Sequence, residues 1–368
     1  MRIPRLIVFL LSAMTFICTQ AAVNVNEYTL NYRSVNQRGD SLSLSGKVTV
    51  PQKRNIKGII LIPHYTICAI QESPSIRPVR SSHEANLFYK DYVLVLPDYI
   101  GYGGTKDSIH PYLHGELTAQ NCVDMYLSAQ RFLDSLQTDI PTDSLYVVGF
   151  SQGGAAALWT LRLIEEHYAG QLFVKGCFAG SGPYDVATTY DDAVVRNDAG
   201  VPVTIPMLVV GTSVAYDLNL HNEYFFTPEL IKVYDSSIAF KQTTMLSLYF
   251  KMLNSKLSYW MTVEGRDKSQ PETQRLYEGL LRSSLVHYPL DEHPLGQQVI
   301  CPEWRPKTPT YIFHSTKDDV VCFHNAEHLQ RCFGDTPNVR YDFGNYGGHL
   351  RSMNTFFLRV HNILNHSF

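Results

Sequence analysis

The chain has 368 residues, 45% of them hydrophobic, with 31 Lys and Arg against 34 Asp and Glu. That length accommodates two average domains or one large α/β domain carrying an insertion, and the apolar content supports a substantial core. A formal net charge of −3 offers no basic surface of the kind that nucleic-acid binding requires.

The first residues read as a targeting segment. Arg2 and Arg5 precede an apolar run from Leu6 to Cys18, and Thr19-Gln20-Ala21-Ala22 follows. A basic start, a short apolar stretch and small residues mark a cleaved secretory signal over residues 1–22. The run is shorter than the roughly 20 apolar residues a bilayer span needs, and no later stretch qualifies. Ile17 is too bulky for a lipoprotein cleavage site before Cys18, so the expectation is a freely exported protein, secreted or periplasmic. Signal removal leaves Cys68, Cys122, Cys177, Cys301, Cys322 and Cys332. An even count in an exported chain permits disulfides, and Cys322 with Cys332, flanking one helix, are the expected local pair.

Residues 28–50 alternate. Tyr28, Leu30 and Tyr32 form one set, and Leu42, Leu44, Gly46, Val48 and Val50 another, around the turn Arg38-Gly39-Asp40. Period-two alternation about a turn predicts an antiparallel hairpin. The turn accounts for the Arg-Gly-Asp triplet without an adhesion role. Lys57–Pro63 and Tyr92–Leu96 are continuous apolar runs, as in a parallel sheet covered on both faces. The second run leads into Pro97-Asp98-Tyr99-Ile100-Gly101-Tyr102-Gly103-Gly104. Gly104-Thr105-Lys106 has the wrong order for a phosphate loop, and no helix follows directly.

Residues 116–138 predict a helix with Cys122, Tyr126, Ala129, Leu133 and Leu136 on one face. Next comes Leu145-Tyr146-Val147-Val148-Gly149-Phe150-Ser151-Gln152-Gly153-Gly154, then Ala155-Ala156-Ala157. This is strand, sharp turn and helix. Gly149-x-Ser151-x-Gly153 fits a nucleophile elbow, a strained turn that lifts a serine hydroxyl above the end of a strand. A further buried strand, 174–179, precedes Gly180-Ser181-Gly182-Pro183. From 184 to 306 the strand–helix rhythm breaks into an aromatic-rich helical stretch, read as a cap. Leu246, Tyr249, Leu253, Leu257 and Trp260 line one face of a single helix there. The sheet pattern then resumes with strands at 310–313 and 338–343 and a closing helix at 351–364. The expected division is 23–183 and 307–368 for the α/β core, with 184–306 inserted.

A serine hydroxyl is a weak nucleophile until a base takes its proton, and the base needs an acid to orient it. In this strand order both partners follow the serine, each on a loop beyond a later strand. His314-Ser315-Thr316-Lys317-Asp318-Asp319-Val320-Val321 supplies the acid, Asp318, with Asp319 as rival. Tyr346-Gly347-Gly348-His349-Leu350 supplies the base, His349. The oxyanion donors are expected to be Gln152 N–H, after the nucleophile, and Tyr65 N–H, in Pro63-His64-Tyr65-Thr66. His64 is a weaker candidate base, because it precedes the serine.

Asp98-Tyr99-x-Gly101-x-Gly103, Gly149-Phe150-Ser151-Gln152-Gly153-Gly154, Asp318-Asp319-Val320-Val321 and Gly348-His349 occur in that order. Together they give the chain the look of an α/β-hydrolase, and within that superfamily it resembles the secretory lipase and esterase group. The core resemblance covers nearly all of the mature chain; the cap matches only in position and character. Two departures stand out. A His-Gly pair is usual at the oxyanion loop where His64-Tyr65 stands, and a proline often follows the acid's Val-Val where Cys322 stands. The resemblance implies a mostly parallel twisted sheet with helices on both faces, a Ser151-Asp318-His349 triad, hydrolysis of small-molecule or lipid esters, and no cofactor. Other readings are a serine peptidase or amidase on the same fold, a non-catalytic binding protein, and a metal enzyme. The metal reading comes from His324-Asn325-Ala326-Glu327-His328, which matches H-x-x-E-H but has no later Glu as third ligand.

Overall fold

The computed structural model describes residues 24–53, 55–136, 140–141, 144–252, 256–289 and 299–366. The expected signal lies outside the described residues. Eight strands form one sheet in the order β1-β2-β4-β3-β5-β6-β7-β8. β1 (Val25–Val35) and β2 (Ser41–Pro51) make the expected antiparallel hairpin, with Tyr28 opposite Val48 and Tyr32 opposite Leu44. Gly39 closes the turn at φ 83°, in the left-handed region that costs glycine nothing. β2 runs antiparallel to β4 (Val93–Pro97). The rest of the sheet is parallel: β3 (Ile59–Leu61), β4, β5 (Leu145–Phe150), β6 (Val174–Gly180), β7 (Thr310–Ser315) and β8 (Val339–Gly344).

The continuous apolar runs follow from burial on both faces. Alternate side chains of a strand point to opposite sides, and the core divides accordingly. Ile59, Leu61, Val93 and Val95 pack with Cys122, Val123 and Tyr126 of the helix Gly115–Ser135. Ile60, Ile62, Leu94, Val148 and Phe178 pack on the other side with Phe356, Phe357 and Val360 of the closing helix, His349–His366. The ends of β5, β7 and β8 therefore open on one rim, between two helical layers.

Between β6 and β7 the described chain is mostly helical. The helices Val186–Arg196, Thr204–Ala215 and Pro271–Ser283, with shorter helical segments, share an apolar core of Tyr190, Val209, Leu230, Leu248, Trp260, Leu276 and Leu280. Leu285, Val286 and Trp304 instead pack with Ala157, Leu161 and Ile312 of the α/β body. The single helix expected through 246–260 is two, Met245–Met252 and Leu257–Trp260; Leu253 lies outside the described residues. Leu257 N–H donates to Asn197 O at 2.9 Å, anchoring the start of the second helix on another segment. Leu246 is 39% exposed and does not share the buried face.

Cys332 pairs with Cys301, not with Cys322. Cys332 sits in the last turn of the helix His324–Phe333, which starts two residues after Cys322. Ten helical residues span about 15 Å, well beyond disulfide reach. Cys322 stays a buried free thiol, as do Cys68, Cys122 and Cys177. No helix among the described residues is long and apolar enough to cross a membrane.

Candidate active site

Ser151 stands between β5 and the helix Gln152–His167, at φ 58° and ψ −124°. A left-handed conformation is uncommon for any side chain but glycine and is held only where the surroundings demand it. The glycines supply those surroundings. A Cβ on Gly149 would lie 2.0 Å from Gly153 O, and one on Gly153 would lie 2.1 Å from Pro63 O. Backbone cannot retreat at that range, so strand, turn and helix cross this closely only without side chains. The turn is tied to the neighbouring strand by Ser151 N–H donating to Gly180 O at 2.8 Å.

His349 starts the closing helix, directly beyond β8. Its Nε2 lies 2.8 Å from Ser151 Oγ and its Nδ1 2.7 Å from Asp318 Oδ2. Asp318 lies beyond β7 with its side chain fully buried. Its other oxygen, Oδ1, accepts the N–H groups of Val320 and Val321 at 3.0 and 2.9 Å. Burial alone would raise the Asp318 pKa. The adjoining His349 and His314, with Val320 N–H, outweigh it and hold the carboxyl below its ordinary range. A carboxylate accepts only, so His349 Nδ1 carries a proton and Nε2 presents its lone pair to the serine hydroxyl. Asp319, the rival acid, accepts His349 backbone N–H at 2.9 Å. It caps the helix that presents the imidazole. The structure thus brings Ser151, His349 and Asp318 into one hydrogen-bonded line and leaves Asp319 beside it.

Residues 84–355 match the secretory lipase family. The chain belongs to the secretory lipase family. It is a carboxylic ester hydrolase, and its fold recurs in solved structures. A Legionella pneumophila protein assigned as a hydrolase is 19% identical, with a TM-score of 0.79 over 97% of this chain and 93% of that one. The rice cell wall degrading esterase LipA of Xanthomonas oryzae is 21% identical, with a TM-score of 0.75 over 94% and 90%. Candida antarctica lipase A in its closed state is 16% identical, with a TM-score of 0.63 over 89% and 74%. No curated protein matches the sequence.

In this secretory lipase the two expected oxyanion donors differ. Gln152 is the first residue of its helix, and N–H groups of a first helical turn have no partner within the helix. Tyr65 N–H is already engaged: it donates to Glu84 Oε2 at 3.2 Å. The sequence expectation for Tyr65 therefore meets an obstacle, a buried carboxyl in front of the donor. Burial drives the Glu84 pKa up to about 8, against the opposing pull of Arg77 and of Tyr65 N–H. Arg77 also donates to Tyr65 Oη at 3.1 Å. Neither Glu84 nor Arg77 carries a motif or a periodicity, and no signal in the sequence singles them out.

His64 is not placed as a base. Its Nδ1 lies 2.6 Å from Tyr65 O and its Nε2 3.2 Å from Asp98 O, and the ring stacks on Tyr99 at 4.0 Å. Burial lowers its pKa, so the ring holds one proton, and the shorter contact takes it. The H-x-x-E-H residues are likewise occupied. His328 Nδ1 sits 2.9 Å from the buried Asp185 carboxylate, while His324 faces Glu327 at 2.7 Å. The two imidazoles serve different partners, and no cluster of three or more ligating groups occurs among the described residues.

A cavity of about 400 Å³ opens over Ser151 and His349. Val201, Met245 and Leu246 line it from the helical stretch, and Phe150, Val320 and Met353 from the α/β body. Tyr65, Glu72, Arg77 and His83 form a polar wall.

Proposed function

We propose that this secretory lipase cleaves carboxylic esters through an acyl-enzyme on Ser151. The observation that carries the reading is the line Asp318–His349–Ser151, with both contacts under 3 Å. His349 Nε2 takes the hydroxyl proton as Oγ attacks the ester carbonyl, and Asp318 steadies the imidazolium. The tetrahedral oxyanion forms at the start of the elbow helix, where Gln152 N–H and the helix dipole favour negative charge. Tyr65 N–H joins it once its bond to Glu84 opens. The imidazolium then protonates the leaving alkoxide, and the same imidazole activates the water that releases the acid.

The apolar walls of the cavity favour an apolar acyl or aryl group, with the helical stretch 184–306 acting as a cap over it. The family's secretory character and the basic, apolar start of the chain support export. A peptidase or a binding protein on this fold remains without a specific observation in its favour. The test is a panel of p-nitrophenyl esters of rising acyl length, run beside peptide p-nitroanilides and with Ser151→Ala as control. Ester turnover that disappears in the variant supports the reading. Turnover of amides alone, or esters cleaved equally well by the variant, refutes it.

A further inference from the structure

The side chain of Gln152 is spent on something other than stability. It is buried, and its Nε2 lies 2.8 Å from His110 Nε2. His110 Nδ1 lies 2.8 Å from Ile100 O, an atom that only accepts. Nδ1 therefore carries the proton, and Nε2 accepts from the Gln152 amide. Burial pushes the His110 pKa down to about 3, so this tautomer persists across the neutral range. With its nitrogen turned to His110, Gln152 leaves Oε1 buried with no partner. An unpaired buried acceptor is destabilising, and a leucine of similar volume would not carry that penalty.

The position of His110 is set from three sides. Gly101, at φ +92°, lets the backbone of His110 approach so closely that a Cβ there would lie 2.7 Å from His110 N. Gly211 packs from the helix Thr204–Ala215, where a Cβ would lie 2.6 Å from Tyr112 N and 3.1 Å from His110 O. Tyr99, itself at φ 65°, stacks its ring parallel to the imidazole at 5.9 Å. The Asp98-Tyr99-x-Gly101 stretch thus builds a seat for one histidine, and that histidine holds one side chain: the residue after the nucleophile.

We propose that His110 is a positioning residue for the oxyanion hole, gripping the Gln152 side chain so that the Gln152 peptide N–H stays aimed at the reacting carbonyl. The inference rests on the reading of Ser151 as nucleophile. It concerns transition-state stabilisation, because the N–H meets full negative charge only in the tetrahedral state.

The test is a double-mutant cycle of His110→Phe and Gln152→Leu, followed by steady-state hydrolysis of one p-nitrophenyl ester. Phenylalanine keeps a ring against Tyr99 and removes the acceptor; leucine keeps the backbone N–H and removes the grip. Loss of a whole oxyanion donor costs 10²–10³ in kcat, so loosening one predicts about a tenfold fall in kcat for each single variant, with KM within about twofold. The double variant should be no slower than the slower single, because both remove one contact. Fully additive losses, or an unchanged kcat in either single variant, overturn the proposal. Should His110→Phe not fold, Gln152→Leu alone decides by the same kcat criterion. Fluorophosphonate labelling of wild-type Ser151 separates the two levels. Absence of labelling removes the nucleophile reading itself, whereas labelling with an unmoved kcat in the variants removes only the role of His110.

Discussion

Asp318→Asn isolates the electrostatic part of the proposed relay, and the structure dictates which way the new amide turns. Asp318 Oδ1 accepts two backbone N–H groups, from Val320 and Val321, at 3.0 and 2.9 Å. An asparagine must keep its oxygen there, since turning the amide would set NH₂ against two donors in a buried site. The NH₂ then faces His349 Nδ1, where the carboxylate oxygen stood at 2.7 Å. An NH₂ only donates, so Nδ1 must be bare and the imidazole proton moves to Nε2. That nitrogen can no longer accept from Ser151 Oγ. Reversing the tautomer and losing the charge beside the imidazolium should lower kcat by roughly 10³–10⁴, or about 4–5.5 kcal/mol. The shape of the site is kept, so thermal unfolding should shift little. Asp319→Asn is the matched control: its amide oxygen can still accept His349 N–H, and activity should stay within about threefold of wild type. The assay is kcat on a p-nitrophenyl ester for both variants, with melting curves alongside. An Asp318→Asn enzyme within tenfold of wild type, beside an inactive Asp319→Asn, would refute the reasoning and move the acid to Asp319.

Two further outcomes follow from groups outside the relay. Glu84 has its pKa raised by burial from 4.5 to about 8, so below pH 4.5 the proton is bound whether the chain is folded or not. Between those values the folded state holds a proton the unfolded chain has released. Stability therefore falls as pH rises through this window, by up to about 5 kcal/mol in all. Glu84→Gln should remove that slope and be the more stable protein above pH 8 in urea titrations; parallel curves for the two proteins from pH 5 to 9 would contradict this. The Cys301–Cys332 bond closes a loop of sequence separation 31, worth about 3–4 kcal/mol by chain entropy. The double variant Cys301→Ala/Cys332→Ala should lose that much stability yet keep its kcat. Loss of kcat at a temperature where the variant is folded would show that the bond shapes the site.

The parts of the site that sequence alone made visible share a property: each lies directly beyond a strand whose own residues announce it. Ser151 follows a β-branched run and stands between glycines whose packing leaves no room for a Cβ. Asp318 and His349 follow the runs that form β7 and β8. The sequence puts Asp318 first and keeps Asp319 as its rival, because both flank the same turn; the direction of each carboxylate then separates an imidazole partner from a helix cap. Glu84, Arg77 and His110 were invisible for another reason. They come from loops without periodicity, and they matter through contacts with Tyr65 and Gln152 that span 12 to 42 positions. The cysteine pairing shows the same limit. Spacing favoured Cys322 with Cys332, but the length of an intervening helix forbids it, and Cys301 arrives from a segment with no local signal.

Intact and peptide mass spectrometry after treatment with a fluorophosphonate measures directly whether His349 makes one serine hydroxyl nucleophilic. A single adduct is expected, on Ser151, formed in step with the loss of esterase activity and strongly slowed in His349→Ala. Adduct formation at another residue, or full esterase activity persisting with Ser151 unmodified and the reagent in excess, would contradict it.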